Sequence, residues 1–254
     1  MRNTKIPRAC FLIIGDEILS GRTIEKNLPV LAQLLNQHGI RLTEVRIIPD
    51  QKTHIIQAIT TCRAAYDEIF TSGGIGPTHD DKTTISVAEA FDLPLRRHEP
   101  TFKLLKQNSK NGECNKMAEK MAWLPQGSRP IENSLSAPPG FSIGNVHVMA
   151  GVPNIFKSMA EWLIPKLPKG LPLHSMAWHS FDLGESEFAE DLEQLQKDFP
   201  NTELGSYPFC HNGKYGVTLV AKGHYLESVE MAAAAFPEIF KKYSAIPQQG
   251  EFQV

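Results

Sequence analysis

The densest group of chemically useful side chains lies in residues 71–84, Thr-Ser-Gly-Gly-Ile-Gly-Pro-Thr-His-Asp-Asp-Lys-Thr-Thr. Ser72, Gly73, Gly74, Gly76 and Pro77 form a turn that lets the backbone approach a ligand closely, and a helix starting behind them favours an anion. Asp80 and Asp81 come next, where a bare phosphate would be repelled. The combination points to a phosphate bound together with a cation, since carboxylate oxygens suit a hard divalent ion. Two familiar nucleotide motifs fail on specific residues. A P-loop requires Gly-Lys-Ser/Thr, and here Asp81 precedes Lys82-Thr83; the G-x-G-x-x-G fingerprint begins at Gly74 and Gly76 but has His79 in place of the third glycine.

The elements that must position this loop follow a strand–helix repeat. Residues 9–14 are a continuous apolar run of the kind found in a buried strand, and Leu28, Leu31, Leu34 and Leu35 recur at helical spacing until Gly39 closes the element. Residues 41–48 alternate like a strand, residues 53–65 place Ile55, Ile56 and Ile59 in helical register, and residues 68–71 are strand again. Such a repeat predicts an α/β fold, a mostly parallel sheet covered on both faces by helices. Ligands of parallel sheets sit beyond the carboxyl ends of the strands. Gly15-Asp16-Glu17, Asp50 and Gly73-Gly74 each follow a strand, so the three loops are expected to meet on one rim.

Beyond the loop, residues 92–140 carry a proline-started helical segment, a polar stretch over 106–115, a further helix to about Met121, and a proline-rich run of short strands and turns. Residues 146–149 read as another buried strand, followed by Gly151-Val152-Pro153 and an amphipathic helix through Leu163. Pro168, Gly170 and Pro172 mark a linker. The expected division is a main domain over residues 1–167 and a small α+β domain over 173–254, the latter with a strand, a helix, two strands flanking residues 211–214, and one helix over 226–243.

Composition narrows the class of partner. A net charge of −2 over 254 residues gives no electrostatic footprint for nucleic acid or an anionic membrane. Cys10, Cys62, Cys114 and Cys210 form no C-x-x-C pair, so they read as ordinary residues of a reducing compartment. The apolar run after Arg2, Lys5 and Arg8 is too short for a signal peptide or a membrane span, and the expectation is a cytoplasmic protein. Trp123, Trp162, Trp178, Met117, Met121 and Met159 read as core or interface residues.

The loop 71–84 resembles the signature of the molybdopterin-binding domain family, and three further segments match in order. Residues 14–21, Ile-Gly-Asp-Glu-Ile-Leu-Ser-Gly, with Asn27 beyond them, are similar to the family's first strand and loop; Pro49-Asp50 is similar to the end of its second strand. Residues 133–141 and 150–153 look like the branch that contains the competence-damage-inducible protein CinA and the related domain of eukaryotic FAD synthases. The resemblance implies a three-layer α/β/α domain that often associates into homo-oligomers.

By the same resemblance, Asp50 and Asp81 are catalytic, and Asp81, Asp80 and Asp50 hold Mg²⁺ or another divalent cation. Gly15, Asp16, Glu17, Asn27, Ser72, Gly73, Gly74, Gly76, Pro77, Ser134, Ser136, Pro139 and Gly140 contact a nucleotide or pterin ligand, with molybdopterin itself as one such ligand. His79 is a further candidate to contact a metal or phosphate, and Lys26 to supply a phosphate counter-charge; the plainer readings are Asp81 as a helix N-cap, Asp50 as a turn residue, Asn27 as a helix cap, and His79 and Lys26 as solvated side chains. Where the family commonly has Asp-Thr-Asn, this chain has Glu25-Lys26-Asn27. The expected activity is a metal-dependent nucleotide pyrophosphatase acting on FAD or ADP-ribose, with molybdopterin adenylylation and ligand binding without turnover as alternatives.

Overall fold

The computed structural model describes residues 6–107, 116–135 and 138–252, and they form two compact units, one ending at Leu171 and the other beginning at Pro172. No helix among the described residues is long and apolar enough to cross a membrane.

The first unit runs β1 (Arg8–Ile14), α1 (Asp16–Leu19), α2 (Asn27–His38), β2 (Arg41–Ile48), α3 (Lys52–Ala65), β3 (Glu68–Ser72), α4 (Thr83–Ala90), β4 (Leu95–Arg97), α5 (Glu99–Gln107), α6 (Lys116–Glu119), β5 (Trp123–Pro125), β6 (Arg129–Ile131), β7 (Gly140–Ile143), β8 (Val146–Met149) and α7 (Pro153–Leu163). Its main sheet has the order β2-β1-β3-β8-β7-β6. The first four of those strands are parallel, while β7 and β6 return antiparallel at one edge. A separate antiparallel ribbon joins β4 and β5.

The strand β1 shows why a continuous apolar run was required. Its side chains alternate between two cores: Ala9, Phe11 and Ile13 pack with Leu31, Leu35, Phe156 and Met159 of α2 and α7, and Cys10, Leu12 and Ile14 pack with Ile55, Ile59, Cys62 and Val87 of α3 and α4. Both faces are therefore dry, and polar alternation would have put charge into one of them. Helix α2 ends where Gly39 takes φ +80, a left-handed cap that glycine adopts without strain. The Cys10 and Cys62 sulfurs lie 3.6 Å apart in the second core, and burial pushes the Cys10 thiol far above its ordinary range.

The second unit comprises β9 (His174–Phe181), α8 (Glu185–Asp198), β10 (Glu203–His211), β11 (Lys214–Gly223), α9 (Leu226–Ala233), α10 (Phe236–Lys242) and β12 (Gln248–Gln249). Its sheet, ordered β10-β11-β9-β12, is antiparallel throughout. Leu183, Phe188, Val217, Leu219, Val229, Phe236 and Phe240 form its core. The single helix expected over residues 226–243 is in fact two, broken at Ala234 and Ala235. Pro237, which has no amide hydrogen, is tolerated because it falls in the first turn of the second helix.

Candidate functional site

Because β1, β2, β3 and β8 are parallel, their carboxyl ends share one edge of the sheet. Two hydrogen bonds tie those ends together: the Gly15 amide donates to the Ile48 carbonyl at 3.1 Å, and the Gly73 amide to the Met149 carbonyl at 3.2 Å. Over this edge lies a cleft of about 530 Å³ lined by Ile14, Glu17, Asp50, Gly73, Gly74, Gly76, Asp80, Asp81 and the start of α7, among others. The three loops expected on one rim all contribute to it.

The glycine turn can be made only by glycine. Gly73 has φ +104, and a β-carbon there would sit 2.2 Å from the Ile14 carbonyl oxygen. Gly74, at φ +68, is pressed against Thr83, whose hydroxyl donates to the Gly73 carbonyl at 2.9 Å. Gly74, Ile75 and Gly76 line the cleft, and among the described residues their amides meet no protein acceptor. On the other side of the cleft, Gly151, Val152 and Pro153 bring the amino end of α7 to its wall. Free amides and the positive end of a helix dipole together favour an anion.

The carboxylates oppose this. Asp50 accepts the Asp16 amide on Oδ2 at 2.9 Å, yet its carboxyl is held above the usual range, first by burial and then by the charges of Glu17, Asp16 and Asp80. Asp80 is exposed, and its carboxyl lies below the usual range, chiefly through the Thr78 hydroxyl and its own amide. Asp81 does not cap a helix. Lys82 holds the N-cap position of α4 without a side-chain bond, and Asp81 Oδ2 instead accepts the Thr78 amide at 2.8 Å and the Thr78 hydroxyl at 2.5 Å.

Asp50, Asp80 and Asp81 are the groups that this edge offers a cation. The groups are all hard oxygens, and a bound cation would relieve the crowding that raises Asp50. Among the described residues no three His, Cys, Asp or Glu side chains are grouped closely enough to hold a metal alone.

Other expected ligand residues stand elsewhere. The Asn27 amide group donates to Ser72 Oγ at 2.8 Å and to the Gly151 carbonyl at 2.9 Å, so this buried pair braces the loops and does not line the cleft. Glu25 caps α2, its carboxylate accepting the Asn27 and Leu28 amides at 2.8 Å each, which gives the unusual Glu25-Lys26-Asn27 sequence a structural use. Gly15 and Asp16 contribute backbone amides beside the cleft wall. Pro77 does not line it. Ser134 pairs with Ser158 of α7 at 3.4 Å, Pro139 lines a separate cavity with His98 and Thr101, and Gly140 opens β7 where a β-carbon would meet the Val148 carbonyl at 2.3 Å. Ser136 lies outside the described residues. His79 is 95% exposed.

The cleft also has walls that motif reasoning did not assign: Thr23, Met121, Pro138, Val152, Ile155 and Met159. A signal for part of this was present, since Gly-Val-Pro directly before an amphipathic helix marks a helix start on the same rim.

Comparison with known proteins agrees with this architecture. Residues 10–169 match the family described as "Probable molybdopterin binding domain", and residues 172–249 match the one described as "FAD synthase, middle domain". A probable FAD synthase of Caenorhabditis elegans is 30% identical over 266 residues, covering 94% of this chain and 51% of that protein. A CinA-like protein of Anaeromyxobacter dehalogenans is 34% identical over 161 residues, covering 61% of this chain and 40% of its own length. This chain thus spans about half or less of these two relatives. The crystal structure of CinA from Thermoplasma acidophilum, a protein of unknown function, superposes with a TM-score of 0.60 at 28% identity over 63% of this chain and 97% of its own. With the family match covering well over half of its length, the chain belongs to the molybdopterin-binding domain family, in the CinA-like form that is followed by a domain of the FAD-synthase middle type.

Proposed function

We propose that the first unit is a divalent-cation-dependent nucleotide pyrophosphatase, acting on a substrate of the FAD or ADP-ribose type. The observation that carries this reading is the meeting of two opposed features in one cleft: unpaired turn amides with a helix amino end, and the acids Asp50, Asp80 and Asp81. A pyrophosphate with its counter-ion satisfies both.

In this reading the amides of Gly74, Ile75 and Gly76 and the start of α7 orient the phosphate oxygens. Asp80, Asp81 and Asp50 would hold the cation, which neutralises charge on the phosphates. A carboxylate of this set that the cation does not engage would accept the proton of an attacking water. That water forms a new bond to phosphorus as the bridging P–O bond breaks, and AMP leaves. Such in-line transfer depends mainly on positioning and charge stabilisation. The C-terminal match to FAD synthases supports a flavin or related dinucleotide substrate.

The family description itself supports a second reading, in which molybdopterin phosphate replaces water and accepts an adenylyl group from ATP. Release of AMP from FAD and ADP-ribose, and from ATP with and without molybdopterin, across Mg²⁺, Mn²⁺ and Co²⁺, separates the two. Hydrolysis without pterin that is lost in Asp81→Ala is expected. Turnover only with pterin would replace the hydrolase by the transferase, and binding without any turnover would leave a ligand-binding module.

A further inference from the structure

One charged group reaches the edge of the cleft from far along the sequence. Lys120 opens a single 3₁₀ turn, Lys120–Ala122, and its ammonium donates to the Thr78 carbonyl at 2.9 Å and to the Asp81 carbonyl at 3.0 Å. These carbonyls bracket the same turn that the Thr78 amide and hydroxyl close through Asp81 Oδ2. The next residue, Met121, lines the cleft beside Asp80 and Asp81.

A lysine held on a carboxylate would neutralise it; a lysine held on two main-chain carbonyls fixes backbone instead. An ammonium has three donors on a long flexible stem, and immobilising it sacrifices side-chain entropy. Two charge-assisted bonds to the ends of one turn offset that loss only if the turn's geometry becomes fixed with it. The Thr78 bonds to Asp81, by contrast, run within the turn itself.

We propose that Lys120 is a positioning residue that clasps the turn over residues 78–81, so that Asp81 and Asp80 present their oxygens to the cleft in one fixed arrangement. The clasp rests on the geometry alone; its effect on turnover rests on the hydrolase reading above. Lys120 is exposed, so its replacement leaves both hydrophobic cores of the unit intact.

The test compares Lys120→Met and Lys120→Arg with the unaltered chain. Amide hydrogen exchange at Thr78 reads the clasp, and AMP release from ADP-ribose with Mn²⁺ reads its consequence. Lys120→Met is expected to speed Thr78 exchange at least tenfold and lower kcat at least tenfold, with KM changed by less than threefold and the thermal midpoint nearly unmoved. Lys120→Arg is expected to restore part of both. Exchange at the unaltered rate in Lys120→Met overturns the clasp. Faster exchange with unchanged kcat overturns its role in positioning the acids. If the unaltered chain releases no AMP, the hydrolase reading fails, and the exchange rates still decide the clasp.

Discussion

Replacing Gly73 by alanine separates two demands that the turn makes on one residue. The first is backbone sign: Gly73 has φ +104, and a side chain in left-handed backbone costs about 1–2 kcal/mol. The second is space: the new β-carbon would lie 2.2 Å from the Ile14 carbonyl oxygen, more than 1 Å inside ordinary contact. That oxygen belongs to the end of β1, held between β2 and β3, and cannot swing away as a side chain would. Forced overpacking of this kind costs a further 1–3 kcal/mol or so. The sum is about 2–5 kcal/mol, which for a unit of this size lowers the thermal midpoint by roughly 4–20 °C at about 2–4 °C per kcal/mol. Gly21→Ala is the control, since Gly21 has φ +73 and nothing within 4 Å of its β-carbon position. It is expected to lose only the first contribution, about 1–2 kcal/mol. Calorimetry of the three proteins gives the difference directly. Equal losses for Gly73→Ala and Gly21→Ala would refute the close-approach argument and reduce Gly73 to an ordinary turn glycine.

Three further outcomes follow from the same geometry. Asp50→Asn is expected to stabilise the protein at neutral pH and to abolish turnover: the folded-state pKa of Asp50 is raised, so stability is lost as pH rises from the unfolded value through the folded one, and the gain from Asn should vanish below about pH 4 in urea melts run across pH. Asn27→Ala removes two bonds that join α2 to Ser72 and to Gly151, and a loss of about 2–3 kcal/mol should appear as a lower urea midpoint with unchanged slope. His147→Ala strands Glu68, which now shares a 2.8 Å bond with His147 Nε2 while Ser142 Oγ meets Nδ1 at 2.8 Å; a loss of about 3 kcal/mol is expected by the same measurement, without change in ligand affinity because these residues do not line the cleft.

The sequence makes the sheet legible because burial on both faces leaves no freedom of composition. Residues 9–14 are apolar throughout, since Phe11 and Leu12 face different cores, and the helical spacing of Leu31 and Leu35 needs only one of them. The pair of helices over 226–243 was read as one because Ala232 to Ala235 carry no breaking signal, and Pro237 acts only through its position in a new first turn. In the site, topology alone brings three loops to one rim, but it does not say which side of a loop faces in. Glu17 lines the cleft while its neighbour Asp16 spends its amide on Asp50; Pro138 lines it while Pro139 faces another cavity. Asn27 has the right chemistry for a ligand, yet its bonds go to Ser72 and Gly151. Adjacent residues point to opposite sides, and only the finished packing decides between them.

The cleft's electrostatics restrict what can occupy it. An isolated phosphate gains from the turn amides and α7 but meets Glu17, Asp50, Asp80 and Asp81 at close range. An isolated cation gains from those acids but faces the positive end of a helix, and among the described residues it finds no ready group of three ligands. In the proposed reading each ligand would lower the electrostatic penalty that the other meets, so their binding would be coupled and reciprocal. Asp50 sits at the point of coupling. Its carboxyl is raised first by burial and then by like charges, and in the proposed reading a cation would offset the second of these causes. A phosphate bound together with a cation would engage both the turn amides and the acids, whereas a pterin ring alone would leave the acids without a partner.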